Sequence, residues 1–163
     1  MEILSSNTMN IYDEFFSIVK KINDANIPYA VVGGIALSFH TWPRYTKDID
    51  FLILSEDIDH LKSILNKMGY IFEAATWTFK NTNITLHRLT KIEGEDSLSI
   101  DLLEGNEKRH KKIIKNAVID ETEFGLVCIA NREDLIWLKR FRNSKQDLAD
   151  IEALENDQNT EST

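Results

Sequence analysis

The stretch Tyr29-Ala30-Val31-Val32-Gly33-Gly34-Ile35-Ala36-Leu37-Ser38-Phe39-His40, carried on through Arg44-Tyr45-Thr46-Lys47 to Asp48-Ile49-Asp50-Phe51-Leu52-Ile53-Leu54, decides the fold of this chain. Tyr29 to Val32 is a short apolar run closed by paired glycines and reads as a buried strand. Ile35 to His40 predicts a short helix, stopped at Trp42-Pro43 because the residue before a proline is pushed out of the helical region. A second apolar strand then opens on two aspartates. Residues two apart on a strand project from the same face, so Asp48 and Asp50 stand side by side. Neighbouring carboxylates in an apolar run repel each other and lose hydration unless a cation sits between them. Hard oxygen donors of this kind suit Mg²⁺, which keeps waters and takes phosphate oxygens as ligands. Taken alone, the pair is weak evidence, since it also fits a solvated strand end with Asp48 as a cap.

Gly33-Gly34 is ambiguous in the same way. Paired glycines between a strand and a helix let backbone N–H groups approach a phosphate, with the helix N-terminus adding positive potential. They also make an ordinary tight turn. A third carboxylate, Asp101 in Ser97-Leu98-Ser99-Ile100-Asp101-Leu102-Leu103, alternates with apolar neighbours and lies on another predicted strand. The combination is more specific than its parts. Strand, Gly-Gly, helix and acidic strand bring a phosphate cradle and a metal clamp to adjacent strand ends. Asp101 completes a two-metal or metal-plus-base set.

Working outward, Ile11, Phe15, Phe16, Ile18, Val19 and Ile22 mark an amphipathic helix over about residues 10–25. Ile58, Leu61, Ile64, Leu65 and Met68 mark another, ended by Gly69. Strands are expected near 70–79, 84–92 and 97–103, with turns at Asn81-Thr82-Asn83 and Glu93-Gly94-Glu95-Asp96. A basic helix to about Lys115, a strand at 126–129 and helices near 132–141 and 145–154 follow. Residues 156–163 hold no apolar residue and read as a disordered polar tail behind a single domain of residues 1–155. This order gives an α+β domain, a mixed sheet with helices packed on it.

Gly33-Gly34 followed by Arg44-x-Thr46-x-Asp48-Ile49-Asp50 resembles the Gly-[Gly/Ser]…Asp-x-Asp signature of the nucleotidyltransferase superfamily, with its DNA polymerase β-like fold. The nearest likeness is to the minimal bacterial branch of AbiEii-type toxins and antibiotic nucleotidyltransferases. Lys139 and Lys145-Gln146-Asp147-Leu148-Ala149-Asp150-Ile151 are similar to that branch's C-terminal motif, so the resemblance spans residues 28–154. It implies a nucleoside triphosphate as co-substrate and Mg²⁺, with Mn²⁺ as an alternative. Asp48 and Asp50 would ligate the metal. Asp101 would bind a second metal or take the acceptor's proton. Gly33 and Gly34 would hold the β- and γ-phosphates, and Lys139 would approach the triphosphate or acceptor. Arg44 would neutralise phosphate charge, although an ion pair with one of the aspartates fits it as well. The more usual residue at Gly34 is Ser. The acceptor, a small molecule, an RNA end or a protein, is left open. The resemblance also admits a toxin–antitoxin or phage-defence component acting with an antitoxin-like partner, and a non-catalytic nucleotide-binding module.

Composition bounds these readings. The net charge of −8 is uneven. From Asp147 onward there are six acidic residues and no Lys or Arg, leaving 19 basic and 21 acidic groups before it. A nearly neutral body is not the basic domain that nonspecific duplex DNA binding requires. No apolar stretch approaches a membrane span and no signal peptide is recognisable, so the expected location is the cytoplasm. Cys128 reads as a small buried hydrophobe and excludes an internal disulfide. His40 and His87 lack metal-ligand spacing. Trp42 is expected to pack on Pro43, with stacking on a base as its alternative. Lys47 reads as solvated, and the basic run 108–115 as a solvated helix face in preference to an RNA contact. Asp147 and Asp150 are expected to pair with Lys139 or Arg142.

Overall fold

The structure is a computed structural model that describes residues 9–41, 46–80, 82–142 and 145–161. Trp42, Pro43, Arg44 and Tyr45 lie outside the described residues, and with them the readings placed on Trp42 and Arg44. Helix α1 (Ile11–Asp24) starts where the Asn10 side chain accepts from the backbone N–H groups of Tyr12 and Asp13. It buries Phe15, Ile18, Val19 and Ile22. Strand β1 (Tyr29–Val32) is wholly buried, and helix α2 (Gly33–His40) follows it without a linking residue. Strand β2 (Asp48–Leu54) leads through a 3-10 turn at Ser55–Asp57 into α3 (Ile58–Lys67).

The strand expected over 70–79 is broken into two short pieces, β3 (Phe72–Glu73) and β4 (Trp77–Thr78), both exposed. Each has pairing only to β5 (Thr85–Glu93) among the described strands. Strand β6 (Asp96–Gly105), helix α4 (Lys108–Lys115), β7 (Val118–Thr122), β8 (Gly125–Ile129), α5 (Arg132–Arg142) and α6 (Lys145–Glu161) complete the chain. Strand β7 was not foreseen. Helix α6 runs on to Glu161 where composition suggested an unstructured tail from Asn156. Once a helix is anchored through buried Ile151 and Leu154, each further residue adds one backbone hydrogen bond without a new nucleus. Among the described residues no helix is long and apolar enough to cross a membrane.

The main path of the sheet is β3-β5-β6-β2-β1-β8-β7, with β4 beside β5. Strand β2 pairs antiparallel with β1 and parallel with β6, and β5 with β6 form an antiparallel hairpin. The sheet is therefore mixed, as the α+β reading expected. Side-chain alternation splits it into two faces. Ile49, Phe51, Leu89, Ile100 and Leu102 are buried on the core face, where the Phe15 ring of α1 stacks on Phe51 at 6.1 Å. The other face carries Asp48, Asp50, Asp101, Leu103, Leu86 and Arg88 into an open cavity.

Candidate active site

Register lines the second face up in three cross-strand rows. Asp48 lies opposite Ser99, and Ser99 opposite Thr90, whose hydroxyls share a 2.8 Å hydrogen bond. The next row runs Val32, Asp50, Asp101, Arg88 across β1, β2, β6 and β5. The third runs Leu52, Leu103, Leu86, Trp77 out to β4. Polar chemistry is thus concentrated on two rows and an apolar row flanks it. Opposite the sheet, Leu135, Leu138 and Lys139 come from one side of α5, spaced three and four apart, with Asp150 from α6. Together they enclose a cavity of about 420 Å³.

Gly33 closes the β1 end. Its φ of +70° lies in the left-handed region that glycine tolerates and other residues rarely adopt. A Cβ there would also sit 2.7 Å from the Asp50 carboxyl carbon, so only a glycine lets the backbone lie against that carboxylate. No side chain caps the N-terminus of α2, in contrast to Asn10 on α1. Gly33 and Gly34 both line the cavity, so a helix start without a side-chain cap opens toward it. Thr46 holds the entry to β2 by donating its hydroxyl to the Asp48 carbonyl at 3.3 Å.

Arg88 is the residue that sequence reasoning passed over. Its Nε and Nη2 donate to the two carboxylate oxygens of Asp101 at 2.7 and 2.8 Å, a bidentate pair. Nη2 also lies 3.8 Å from Asp48. The bonds to Asp101 hold the guanidinium charged, well above its ordinary range, against a burial effect that acts the other way. The signal was in the sequence. A two-residue turn at Gly94-Glu95 fixes the hairpin register, and that register sets Arg88 directly across from Asp101.

All six described members of the expected set, Gly33, Gly34, Asp48, Asp50, Asp101 and Lys139, border one cavity. They do not make a gathered metal cluster: among the described residues no group of three or more His, Cys, Asp or Glu side chains stands ready around one ion. Asp101 gives both oxygens to Arg88 instead. Asp48 and Asp50, on one face and half exposed, retain the donor chemistry of a Mg²⁺ site, because that ion needs only one or two carboxylates when phosphate and water complete its shell. Lys139 is buried and donates to Asp150 at 3.1 Å, so the expected pairing of Asp150 is present in this form, while the side chains of Asp147 and Arg142 are outside the described set.

Residues read as structural behave so. His40 shares its Nε2 with the Ala130 carbonyl at 2.9 Å, and His87 meets Glu104 at 2.6 Å. Cys128 is half-buried rather than buried, and its backbone N–H donates to the Tyr29 hydroxyl. Lys111, Lys112 and Lys115 of α4 are exposed, and Lys47 is exposed at the cavity mouth.

Comparison with solved structures places this geometry in a known fold. The lincosamide antibiotic adenylyltransferase LnuA, with lincomycin bound, superposes with a TM-score of 0.63 at 14 % identity, covering 91 % of this chain and 98 % of that one. ANT(2″)-Ia, in complex with adenylyl-2″-tobramycin, superposes with a TM-score of 0.56 at 15 % identity, covering 92 % of this chain and 90 % of that one. An uncharacterised protein of Methanocaldococcus jannaschii is 37 % identical over 79 residues, 45 % of this chain; the match spans 42 % of that protein's length. The family model described as nucleotidyltransferase of unknown function (DUF6036) matches residues 7–157, and the chain belongs to that nucleotidyltransferase family.

Proposed function

We propose that this nucleotidyltransferase moves a nucleoside monophosphate from a triphosphate to the hydroxyl of a small-molecule acceptor, with Mg²⁺ at Asp48 and Asp50. One observation carries the reading. A glycine turn against Asp50, two adjacent aspartates and a third carboxylate in register with Asp50 all face one cavity. Glycine N–H groups at the start of α2 bind phosphate oxygens of the leaving pyrophosphate. When bound, Mg²⁺ neutralises charge on the reacting phosphate and orients it. Asp48 and Asp50 fix where that charge is neutralised, beside the Gly33 turn. In the transfer, the acceptor oxygen forms a bond to the α-phosphorus, the bond from that phosphorus to the pyrophosphate oxygen breaks, and the hydroxyl proton passes to Asp101. Arg88 aims Asp101 through its bidentate contact. Lys139, one turn of α5 beyond Leu135, adds a positive charge on the wall facing the carboxylates.

The structures of similar fold hold lincomycin and adenylyl-tobramycin, which favours a small-molecule acceptor over an RNA end or a protein. Neither the AbiEii-like branch nor an antitoxin-like partner enters the proposal, because the site geometry is indifferent to both. The test uses purified protein, α-labelled triphosphates and a panel of hydroxyl-bearing small molecules. Asp48→Asn, Asp50→Asn and Asp101→Asn should each lower transfer by at least about a hundredfold, the scale of losing one transition-state contact, with circular dichroism unchanged. Undiminished transfer in all three variants would sink the proposal.

A further inference from the structure

The apolar row on the same sheet face has no role in handling phosphate. Trp77 on β4 lies opposite Leu86, and Leu86 opposite Leu103, in unbroken register away from β2. The Phe79 ring sits 5.0 Å from Trp77, and all four side chains line the cavity. Trp77 is nevertheless 58 % exposed, so its large apolar face is presented outward rather than spent in the core. Trp77 stands on a two-residue strand whose neighbours do not bury it.

The position of this shelf follows from the sheet order. Gly33 follows β1, Asp48 and Asp50 open β2, Asp101 is on β6, and Leu86 and Trp77 are on β5 and β4. In an in-line displacement the entering oxygen and the leaving group occupy opposite sides of the phosphorus. With the leaving pyrophosphate at the Gly33 end, the entering hydroxyl comes from the β5–β4 end, where the shelf lies. We infer that Trp77, Phe79, Leu86 and Leu103 form the acceptor subsite, and that it takes an uncharged small molecule presenting a flat or apolar face beside its reactive hydroxyl. This rests on the transferase reading above for the direction of attack.

Charge separates this acceptor from a nucleic acid end. Residues 72–79, which carry the two aromatic members of the shelf, Trp77 and Phe79, include no Lys or Arg. Strand binding by stacking normally combines aromatic platforms with a positively charged groove along the backbone. Of the three cations that line the cavity, Lys47, Arg88 and Lys139, two are engaged by carboxylates, Arg88 by Asp101 and Lys139 by Asp150. A cavity of about 420 Å³ has the capacity of a small-ligand site.

The test reads binding without turnover. Isotope-labelled full-length protein, with Mg²⁺ and a non-hydrolysable triphosphate, is titrated with p-nitrophenyl-β-galactoside, methyl-β-galactoside and a short single-stranded RNA. The Trp77 indole N–H signal is assigned by its loss in Trp77→Phe. The aryl glycoside should shift that signal and bind about tenfold more tightly than the methyl glycoside, a difference on the scale of one aromatic contact. Trp77→Ala should abolish the difference, and Trp77→Phe should keep most of it. Equal binding of the two glycosides, an unmoved Trp77 signal, or a shift caused only by RNA would overturn the shelf. The reading on which it rests fails separately. If Trp77 responds as expected but no labelled phosphate is transferred to any acceptor, ligand binding at Trp77 stands, but its role as an acceptor subsite falls with the transferase proposal.

Discussion

At the scale of single residues, the site is a problem in placing negative charge. Asp101 is almost wholly buried, its side chain 8 % exposed, and a carboxylate in such a place must be paired or neutralised. Arg88 supplies the pairing from the neighbouring strand while its own side chain stays 44 % exposed. The two residues therefore contribute unequally. Removing the arginine leaves a buried acceptor without its donors, whereas removing both leaves no unsatisfied charge. Arg88→Ala should cost roughly 1–3 kcal/mol of stability, the range for an orphaned buried polar group, and fall in its lower half because the guanidinium is open to solvent. Arg88→Ala combined with Asp101→Leu should recover part of that loss. Urea unfolding of the two single variants and the double variant closes the cycle. Strict additivity would show that the bidentate contact contributes nothing to the fold.

At the scale of elements, some pieces are legible from sequence because local chemistry specifies them, and others are not. Strand β1, α2 and β2 follow from an apolar run, a glycine turn and a proline stop. The β5–β6 hairpin follows from its Gly94-Glu95 turn. Strands β3 and β4 are two residues each, too short to carry a period, and exist because β5 offers them an edge. Strand β7 escaped because Val118 and Ile119 are both exposed, so it lacks the buried-exposed alternation that marks a half-buried strand. Helix α4 was read correctly as basic, yet its anchor was not seen. His110 is 1 % exposed, and its Nδ1 accepts from the Glu107 N–H at 3.2 Å as half of a capping box. Its ring fills the space beside Gly105 where a Cβ would stand.

Burial pushes the His110 pKa down, with the nearby Glu107 acting weakly the other way. The folded state then binds fewer protons than the unfolded one. The stability this provides is complete above the ordinary histidine range and is lost as pH falls through the lowered folded value. The urea midpoint should therefore drop between about pH 7 and about pH 5, across the ordinary histidine pKa. His110→Leu, which cannot titrate, should show a flatter dependence across the same interval. An unchanged slope in the variant would assign the acid sensitivity to other groups.

For the whole molecule, the sheet order explains how the candidate site residues come to border one cavity. Strand β2 sits at the centre, antiparallel to β1 on one side and parallel to β6 on the other. That parallel pairing joins residues about fifty apart in sequence, and no local pattern reports it. The hairpin pair Asp101–Arg88 therefore meets Asp50, and Leu103 meets Leu52, only with the fold, while Trp77 joins its row through the two-residue β4. The C-terminal helices close the cavity from the other side, and one buried contact ties them together. Lys139 of α5 and Asp150 of α6 have side chains 7 % and 5 % exposed and meet at 3.1 Å. A buried ion pair adds little over well-packed apolar residues, but losing one partner leaves an uncompensated charge. Asp150→Ala should therefore lower stability by about 3–5 kcal/mol, whereas Lys139→Met with Asp150→Leu should lower it far less. Activity then separates two roles for the lysine. If Lys139 contributes positive charge to triphosphate binding, the double variant stays folded but its KM for the triphosphate rises several-fold with kcat less affected. If the pair only pins α6 to α5, the double variant keeps both constants, and the positive charge on the cavity wall is not what binds the phosphates.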